Sequence, residues 1–519
     1  MLILGLLDIP MWVLLVLAVV FLFYIYSSRK HSVFKRYGIP YVEPAPFLGG
    51  FKYLSQKGAM QSEYDATMQY GKVVGFFLGN MPTIFLTDPD IIKEIFVKRF
   101  SEFYTRSQGG GVSRFWEKTI LMTTDLHYWK FLRATMSPTF TAGKLRNMEH
   151  IITGGINRTL AAITQQMGDA HEGVFDMVPV YRNLTLEIIC QAALGVEIQE
   201  GGDSVNEMKR HIQDMLSYSL EKNPILLLVF LIPDLKYVYN LLDIDYNDIK
   251  AIKYISEALK SVITERKAEQ GQEKKDLLQL MINTQLRKEA LTEQNTDGDS
   301  GENGSQPSRG MTDDEIIANA TMFLFAGNDT TSTAMIFTTY FLAVNPDCQA
   351  KLVAEIQEKV GCAEITYDVL HDMRYLDMFV SESMRLYPPV TRVNRQITHD
   401  LTVKDITVPG NMSLTIPVFT LHRIAEFWPE PEKFDPERFS EENKANIKPY
   451  TFLPFGVGPR ICLGTRFAYM ELKMMIVKLL QEFRIKPSAD LLVPPRLEKH
   501  VFCRPHGGMR LVLEKRQPT

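Results

Sequence analysis

Ten residues near the C-terminus constrain this chain most: Phe455-Gly456-Val457-Gly458-Pro459-Arg460-Ile461-Cys462-Leu463-Gly464. One cysteine stands among glycines, with an arginine two positions before it and an apolar, helix-patterned run, Met470 to Leu480, after it. A thiolate placed where a helix begins is stabilised by free N–H groups and by the positive end of the helix dipole, which makes Cys462 a candidate metal ligand. Gly456, Gly458 and Gly464 have no Cβ, so the backbone can lie against a large flat partner. The Arg460 guanidinium suits carboxylates. A lone cysteine is otherwise a small buried hydrophobe; here its neighbours all fit the ligand reading.

The rest of the chain is ordinary globular material. Its 519 residues, 45% hydrophobic and 23% charged, are enough for one large core or two lobes. A net charge of -4 gives no nucleic-acid signal. The five cysteines (190, 348, 362, 462 and 503) are scattered, without zinc or disulfide spacing, as suits a reducing compartment.

The N-terminus predicts a membrane anchor. Ile9 to Tyr26 is apolar and aromatic, and with Met1 to Leu7 ahead of it the run is long enough to cross a bilayer. Arg29, Lys30, Lys35 and Arg36 follow and place the next domain on the cytoplasmic side. A cleaved signal peptide has a shorter apolar region and a small-residue cleavage site, which is missing here. Pro40, Pro44 and Pro46 predict a stiff, extended linker. The chain thus divides into an anchor (1–28), a basic and proline-rich linker (29–50) and a large domain (51–519). Sequons at Asn157, Asn183, Asn303, Asn319, Asn328 and Asn411 are then chance matches, since a cytosolic domain carries no such sugar.

Lys72 to Thr87 reads as a hairpin turning at Gly79-Asn80, and Ile91 to Leu386 is mainly helical in pattern. Pro224 to Pro233 encloses the apolar run Ile225 to Ile232, which fits buried core or a second membrane contact. Asp297 to Gly310 is rich in Gly, Ser and Asp and predicts a disordered loop. After it, Thr312 caps a helix running from Ile316 toward Ala343, with acids in its first turn. Inside that helix Ala326-Gly327-Asn328-Asp329-Thr330-Thr331 breaks the local rules: glycine costs roughly 1 kcal/mol mid-helix, and the hydroxyls compete for backbone bonds. Such breaks mark sites.

Two further clusters carry charge. Glu382 and Arg385, at i and i+3, share a helix face ahead of Pro388-Pro389, and Arg438 lies in Pro436-Glu437-Arg438-Phe439. Trp129 and Arg133, four apart, offer an indole N–H and a guanidinium on one face, a pair suited to an anion.

The Phe455–Gly464 run resembles the haem-binding signature of the cytochrome P450 family at every specified position. The Ala326–Thr331 hexad, the Glu-x-x-Arg pair and Trp-x-x-x-Arg are similar to further signatures of that family, in the same order. Asp88-Pro89-Asp90, Ser137-Pro138-Thr139-Phe140 and Gly143-Lys144-Leu145 most resemble the clan of vertebrate steroid- and drug-oxidising enzymes and thromboxane synthase.

The resemblance implies a mainly α fold with smaller β sheets, a single N-terminal transmembrane helix, and haem b with Cys462 as axial thiolate. It implies that Asp329 and Thr330 deliver protons during dioxygen activation. Arg106, Trp129, Arg133, Arg395 and Arg460 would hold the haem propionates, with Phe455 and Gly464 against the haem, while Glu382, Arg385 and Arg438 would form a buried architectural triad. The implied substrate pocket comprises Ile120, Leu121, Met122, Phe325, Ala326, Val390, Thr391, Arg392, Val501 and Phe502, mostly apolar, as a lipophilic substrate requires. Arg392 either faces that pocket and meets an acid or turns away. Family analogy also has Ile225 to Ile232 dipping into the membrane above the pocket.

By the same analogy the electron donor is NADPH-cytochrome P450 reductase, with a cytochrome b-type protein as second donor. It would dock through basic residues such as Lys130, Lys144, Arg146 and Lys448 at the endoplasmic reticulum. Two other readings are a haem-thiolate isomerase acting on a peroxide and a non-catalytic haem- or sterol-binding membrane protein. The Asp329-Thr330 pair opposes both.

Overall fold

The computed structural model describes residues 10–106, 114–197, 207–212, 224–242, 249–268, 276–296, 309–361, 363–404, 406–499 and 502–516. Helix α1 (Met11–His31) ends in Arg29, Lys30 and His31, cations that favour a helix C-terminus. It is long and apolar enough to cross a membrane, and little of it is buried within the protein.

Residues 29–50 do not form the extended linker that their prolines suggest. A short helix, α2 (Val33–Tyr37), places Phe34 in the interior against Phe77, ring centroids 4.8 Å apart, and Ile39 is buried beside it. Tyr41 then bridges to Gly75. Burying two large apolar side chains on the sheet gains roughly 25 cal/mol per Å² of apolar surface, which a solvated linker would forgo.

Helix α3 (Ala59–Tyr70) leads into β1 (Val73–Leu78) and β2 (Met81–Leu86), an antiparallel hairpin turning at Gly79-Asn80 as expected, with Leu78 opposite Met81. Helix α4 (Leu126–Met136) begins at Asp125, whose carboxylate accepts the N–H groups of His127 and Tyr128. Next come α5 (Glu149–Met167), β3 (Glu172–Asp176), α6 (Met177–Leu194) and α7 (Pro224–Leu231).

The apolar segment in α7 is tied to the β1–β2 turn. The Asn80 N–H donates to the Phe230 carbonyl at 2.9 Å and the Asn80 amide to Leu231 at 2.7 Å, while Ser27 of α1 donates to Asn80 Oδ1 at 2.6 Å. Val229 is buried and Leu228 is exposed. One side of α7 is therefore packed on the hairpin turn, and Leu228 faces outward. Most of the expected Asp297–Gly310 loop lies outside the described residues.

Helix α8 (Asp313–Val344) opens with a reciprocal capping box between Thr312 and Glu315 and is buried along most of its length. It is followed by α9 (Arg374–Leu386), β4 (Arg392–Ile397), β5 (Met412–Pro417), α10 (Thr465–Glu482), β6 (Phe483–Pro487) and β7 (Arg510–Lys515). One sheet has the order β1-β2-β5-β4, with β2 and β5 parallel; a second has the order β3-β7-β6. The architecture is mainly α with small sheets, as expected. The main core surrounds α8 with α5, α6, α9 and α10, and a second core lies against the four-stranded sheet.

Candidate active site

The loop before α10 is closed by the Cys462 N–H donating to the Phe455 carbonyl at 3.0 Å, and the Phe455 ring packs on Tyr469 of α10. Gly458, at φ 74°, sits so tightly on the Phe96 carbonyl that a Cβ would collide with it. Cys462 lies just before the helix capped by Gly464, and Thr465 Oγ1 donates to its carbonyl at 3.0 Å. Desolvation raises the Cys462 thiol, against the Gly464 N–H, the Thr465 hydroxyl and the charges of Arg106 and Arg133, all of which favour thiolate.

Gly464 has an ordinary backbone, and a Cβ there would meet nothing nearer than Phe140 at 3.9 Å. At Gly456 a Cβ would meet only Val393, at 3.8 Å, and the left-handed φ of 79° is what calls for glycine there. At Gly464 neither backbone nor protein packing requires the missing side chain, whereas a flat group lying on the loop would.

Four guanidinium groups gather beside this loop. Arg133 Nη1 of α4 donates to the Ile461 carbonyl at 2.8 Å; Arg460 stacks over Trp129 at 5.2 Å and donates to the Leu121 and Thr123 carbonyls at 3.2 and 3.1 Å. Arg395 of β4, 1% exposed, packs over Phe96 and donates to the Asn394 carbonyl. Desolvation, then repulsion by Arg106, pulls Arg460 down to about 9; the same two causes hold Arg395 well below its ordinary value. Among the described residues no carboxylate pairs with Arg106, Arg133, Arg395 or Arg460, and the Nε atoms of Arg106, Arg395 and Arg460 are buried without partners. Gathering cations without counter-charges is costly, and a bound polyanion would offset that cost. The two propionates of haem meet that need, the glycine floor accepts its plane, and Cys462 offers a soft ligand. The residues present fit the group.

Helix α8 runs uninterrupted through the Ala326–Thr331 hexad. Gly327 is required by packing, because a Cβ would lie 2.8 Å from Ile189 of α6. Asn328 is held by Thr185 Oγ1, which donates to its side chain at 2.8 Å. Asp329 is buried rather than solvent-facing. Arg504 donates to it from Nε and Nη2, at 3.2 and 2.9 Å, and Arg182 Nη2 lies 3.4 Å away. Thr330 Oγ1 donates to the Ala326 carbonyl at 2.7 Å. Arg182, Thr185 and Arg504 were not singled out from sequence, since no local pattern links them to a carboxylate or amide on α8.

Of the pocket positions, Phe325 faces Phe502 with centroids 6.4 Å apart, and Val390 forms a bridge with Phe502. Ile120 is buried, Leu121 and Met122 are half-buried, Ala326 lies one residue past Phe325, and Thr391 is fully buried. Val501 lies outside the described residues. Arg392 forms an ion pair with Glu63 of α3, a carboxyl whose own burial pushes it up to about 7. Arg392 thus meets an acid of the protein itself.

Behind the cysteine loop, Arg385 donates to both Glu382 oxygens at 2.7 and 2.8 Å, and the Asp435 N–H donates to the same carboxylate at 2.9 Å. Its remaining N–H groups reach the His422, Pro431 and Lys433 carbonyls. Arg438 stands 3.4 Å from Glu382 without a hydrogen bond to it, a looser third member.

The cytochrome P450 family model matches residues 39–512. The chain belongs to the cytochrome P450 family. It is 34% identical to rat (Rattus norvegicus) cytochrome P450 3A18 over 512 residues, 98% of this chain and 99% of that relative. To mouse (Mus musculus) cytochrome P450 3A25 it is 35% identical over 514 residues, 98% of this chain and 97% of the relative. As a member of this family the protein is a haem-thiolate monooxygenase that acts on lipophilic substrates with O2 and electrons from a redox partner.

Proposed function

We propose that this cytochrome P450 is anchored by α1 in the endoplasmic reticulum membrane with its catalytic domain in the cytosol. There it inserts one oxygen atom from O2 into a C–H bond of a steroid, fatty acid or xenobiotic, using electrons from NADPH-cytochrome P450 reductase and, secondarily, a cytochrome b-type donor. The observation that carries this reading is the pairing of a buried, arginine-held carboxylate on α8 with a cysteine loop ringed by uncompensated guanidinium groups.

Cys462 would bind the haem iron, and Arg106, Trp129, Arg133, Arg395 and Arg460 would hold the propionates, with Phe455 and Gly464 as the floor. When bound, haem supplies dioxygen activation, and the thiolate ligand favours O–O cleavage. Asp329 holds a proton-transfer position through Arg504 and Arg182; Arg182, itself partly exposed, gives that carboxylate a connection toward solvent. The Thr330 hydroxyl, donated to Ala326 in this structure, is the next group available to relay a proton. Phe325, Ala326, Ile120, Leu121, Met122, Val390, Thr391 and Phe502 supply apolar walls that orient the substrate and exclude water. Glu382, Arg385 and Arg438 act on architecture alone.

Lys130 and Lys448 are exposed, as a docking face for an acidic reductase requires; Arg146 is engaged by Asp368 at 2.7 Å and is the poorer candidate. Full-length protein in vesicles with reductase and NADPH should yield hydroxylated steroid or fatty acid product, with a reduction rate that falls as salt rises. Cys462→Ser should remove both product and the red-shifted carbon-monoxide band of thiolate-ligated haem. Peroxide-driven turnover without any NADPH-dependent product would refute the monooxygenase reading.

A further inference from the structure

Asn319 belongs to a sequon that the catalytic reading leaves unused. It is fully buried on α8, two turns before Gly327, so it carries no sugar in this fold. Its amide is instead fully employed. Oδ1 accepts the Ile120 N–H at 2.9 Å, while Nδ2 donates to the Lys118 carbonyl at 3.0 Å and to the Glu315 carbonyl at 2.8 Å. Toward residues 118–120 the side chain therefore acts as a peptide group would in a sheet, offering an acceptor and a donor to one stretch of backbone.

The same stretch is held from two other directions. Tyr128 of α4 donates its hydroxyl to the Lys118 carbonyl at 2.9 Å, and Arg460 of the cysteine loop donates to Leu121 and Thr123. Ile120, Leu121 and Met122 lie in no helix or strand, so these ties set where they stand. Asn319 connects this stretch to α8, the helix that also carries Phe325, Ala326 and Asp329, and the Lys118–Asp314 ion pair at 2.6 Å adds a tie nearer the helix start.

We infer that Asn319 is a positioning residue for substrate selection: its amide fixes the Ile120–Met122 wall relative to the Phe325–Ala326 face of α8, and so decides which C–H bond of a lipophilic substrate is presented for oxidation. The inference rests on the pocket assignment above. Asparagine suits the role because both halves of the amide are used. Aspartate would set lone pairs against the Lys118 and Glu315 carbonyls, and alanine would leave the Ile120 N–H buried and unpaired. Glutamine keeps the chemistry but is longer by one methylene. Changes of that size in an apolar pocket alter discrimination by roughly 10- to 200-fold.

The test uses the full chain, haem-loaded, in reductase vesicles, with testosterone as a rigid probe that has many distinguishable C–H positions. Asn319→Ala is expected to keep the carbon-monoxide band, raise KM about tenfold with a smaller change in kcat, and redistribute the hydroxylated products. Amide hydrogen exchange should rise in residues 118–123. Asn319→Gln should keep that protection and shift the product ratio in its own direction. An unchanged KM and product ratio in Asn319→Ala, despite faster exchange, would overturn the inference, as would loss of the haem band in both variants, which would make Asn319 a folding residue. A wild-type protein that forms no NADPH-dependent product would instead overturn the functional reading on which the inference depends.

Discussion

Arg504 donates from both Nε and Nη2 to a single carboxylate oxygen of Asp329, at 3.2 and 2.9 Å, across a separation of 175 residues. The acid of the α8 hexad is thus held by the C-terminal segment that also carries Phe502, so proton delivery and the pocket wall share one support. Arg504→Leu strands the carboxylate in a buried place where, among the described residues, the 3.4 Å contact to Arg182 is the one cation left. Since positioned proton transfer contributes roughly 10²- to 10⁴-fold, kcat should fall at least tenfold while the carbon-monoxide band persists. Product formed per NADPH oxidised is the measurement, and coupling equal to wild type would contradict the assignment.

The guanidinium cluster makes an unusual demand, because its members repel one another until an anion arrives. Arg395→Met removes a buried charge that desolvation and Arg106 both disfavour. The haem-free protein should become as stable or more stable, and the haem-loaded protein should release haem faster. Thermal unfolding of both forms decides the matter; parallel losses in the two would show that Arg395 is only a packing residue.

Glu382 and Arg385 are both fully buried and bound in bidentate fashion, so Glu382→Ala leaves a guanidinium without its counter-charge and should cost about 3–5 kcal/mol, enough to prevent haem incorporation. Arg438, partly exposed and 3.4 Å away, contributes less. Arg438→Ala should cost about 1 kcal/mol and leave a spectrally normal protein. Equal effects would show that the third member is as tightly bound as the other two.

His422 is fully buried, accepts the Leu453 N–H on Nε2 at 2.8 Å, and is held at about 3 by desolvation, with Arg385 adding repulsion. A folded value below the unfolded one means that the unfolded chain binds the extra proton first. This contribution is complete above about pH 6.5 and declines as pH falls toward 3, at about 1.4 kcal/mol per unit of the difference. Urea unfolding should show a steeper loss of stability over that window in wild type than in His422→Gln. Identical slopes would remove His422 as the cause.

Much of the site was legible in sequence because its demands are local. The Gly-framed cysteine, the Thr312 N-cap, the hairpin at Gly79-Asn80 and the i, i+3 spacing of Glu382 and Arg385 each depend on residues a few positions apart. The expected linker failed for a reason outside its own composition: Phe34 and Ile39 found a sheet to pack on. Arg392 of β4 could not be oriented from sequence because its partner, Glu63, lies on α3, far away in the chain, and shows its role only through burial.

By itself, then, the sequence determined that an apolar helix precedes a large globular chain, that a thiolate stands before a helix, and that a long buried helix carries an acid and hydroxyls where helix propensity disfavours them. Tertiary structure alone decided which distant charges meet. Arg504 and Arg182 on Asp329, four arginines without a carboxylate, and Asn319 on the Ile120 backbone all join segments far apart in the chain. Such pairs form only when burial withdraws polar groups from water and makes an unpaired one costly, and that cost depends on the packed interior rather than on neighbouring residues.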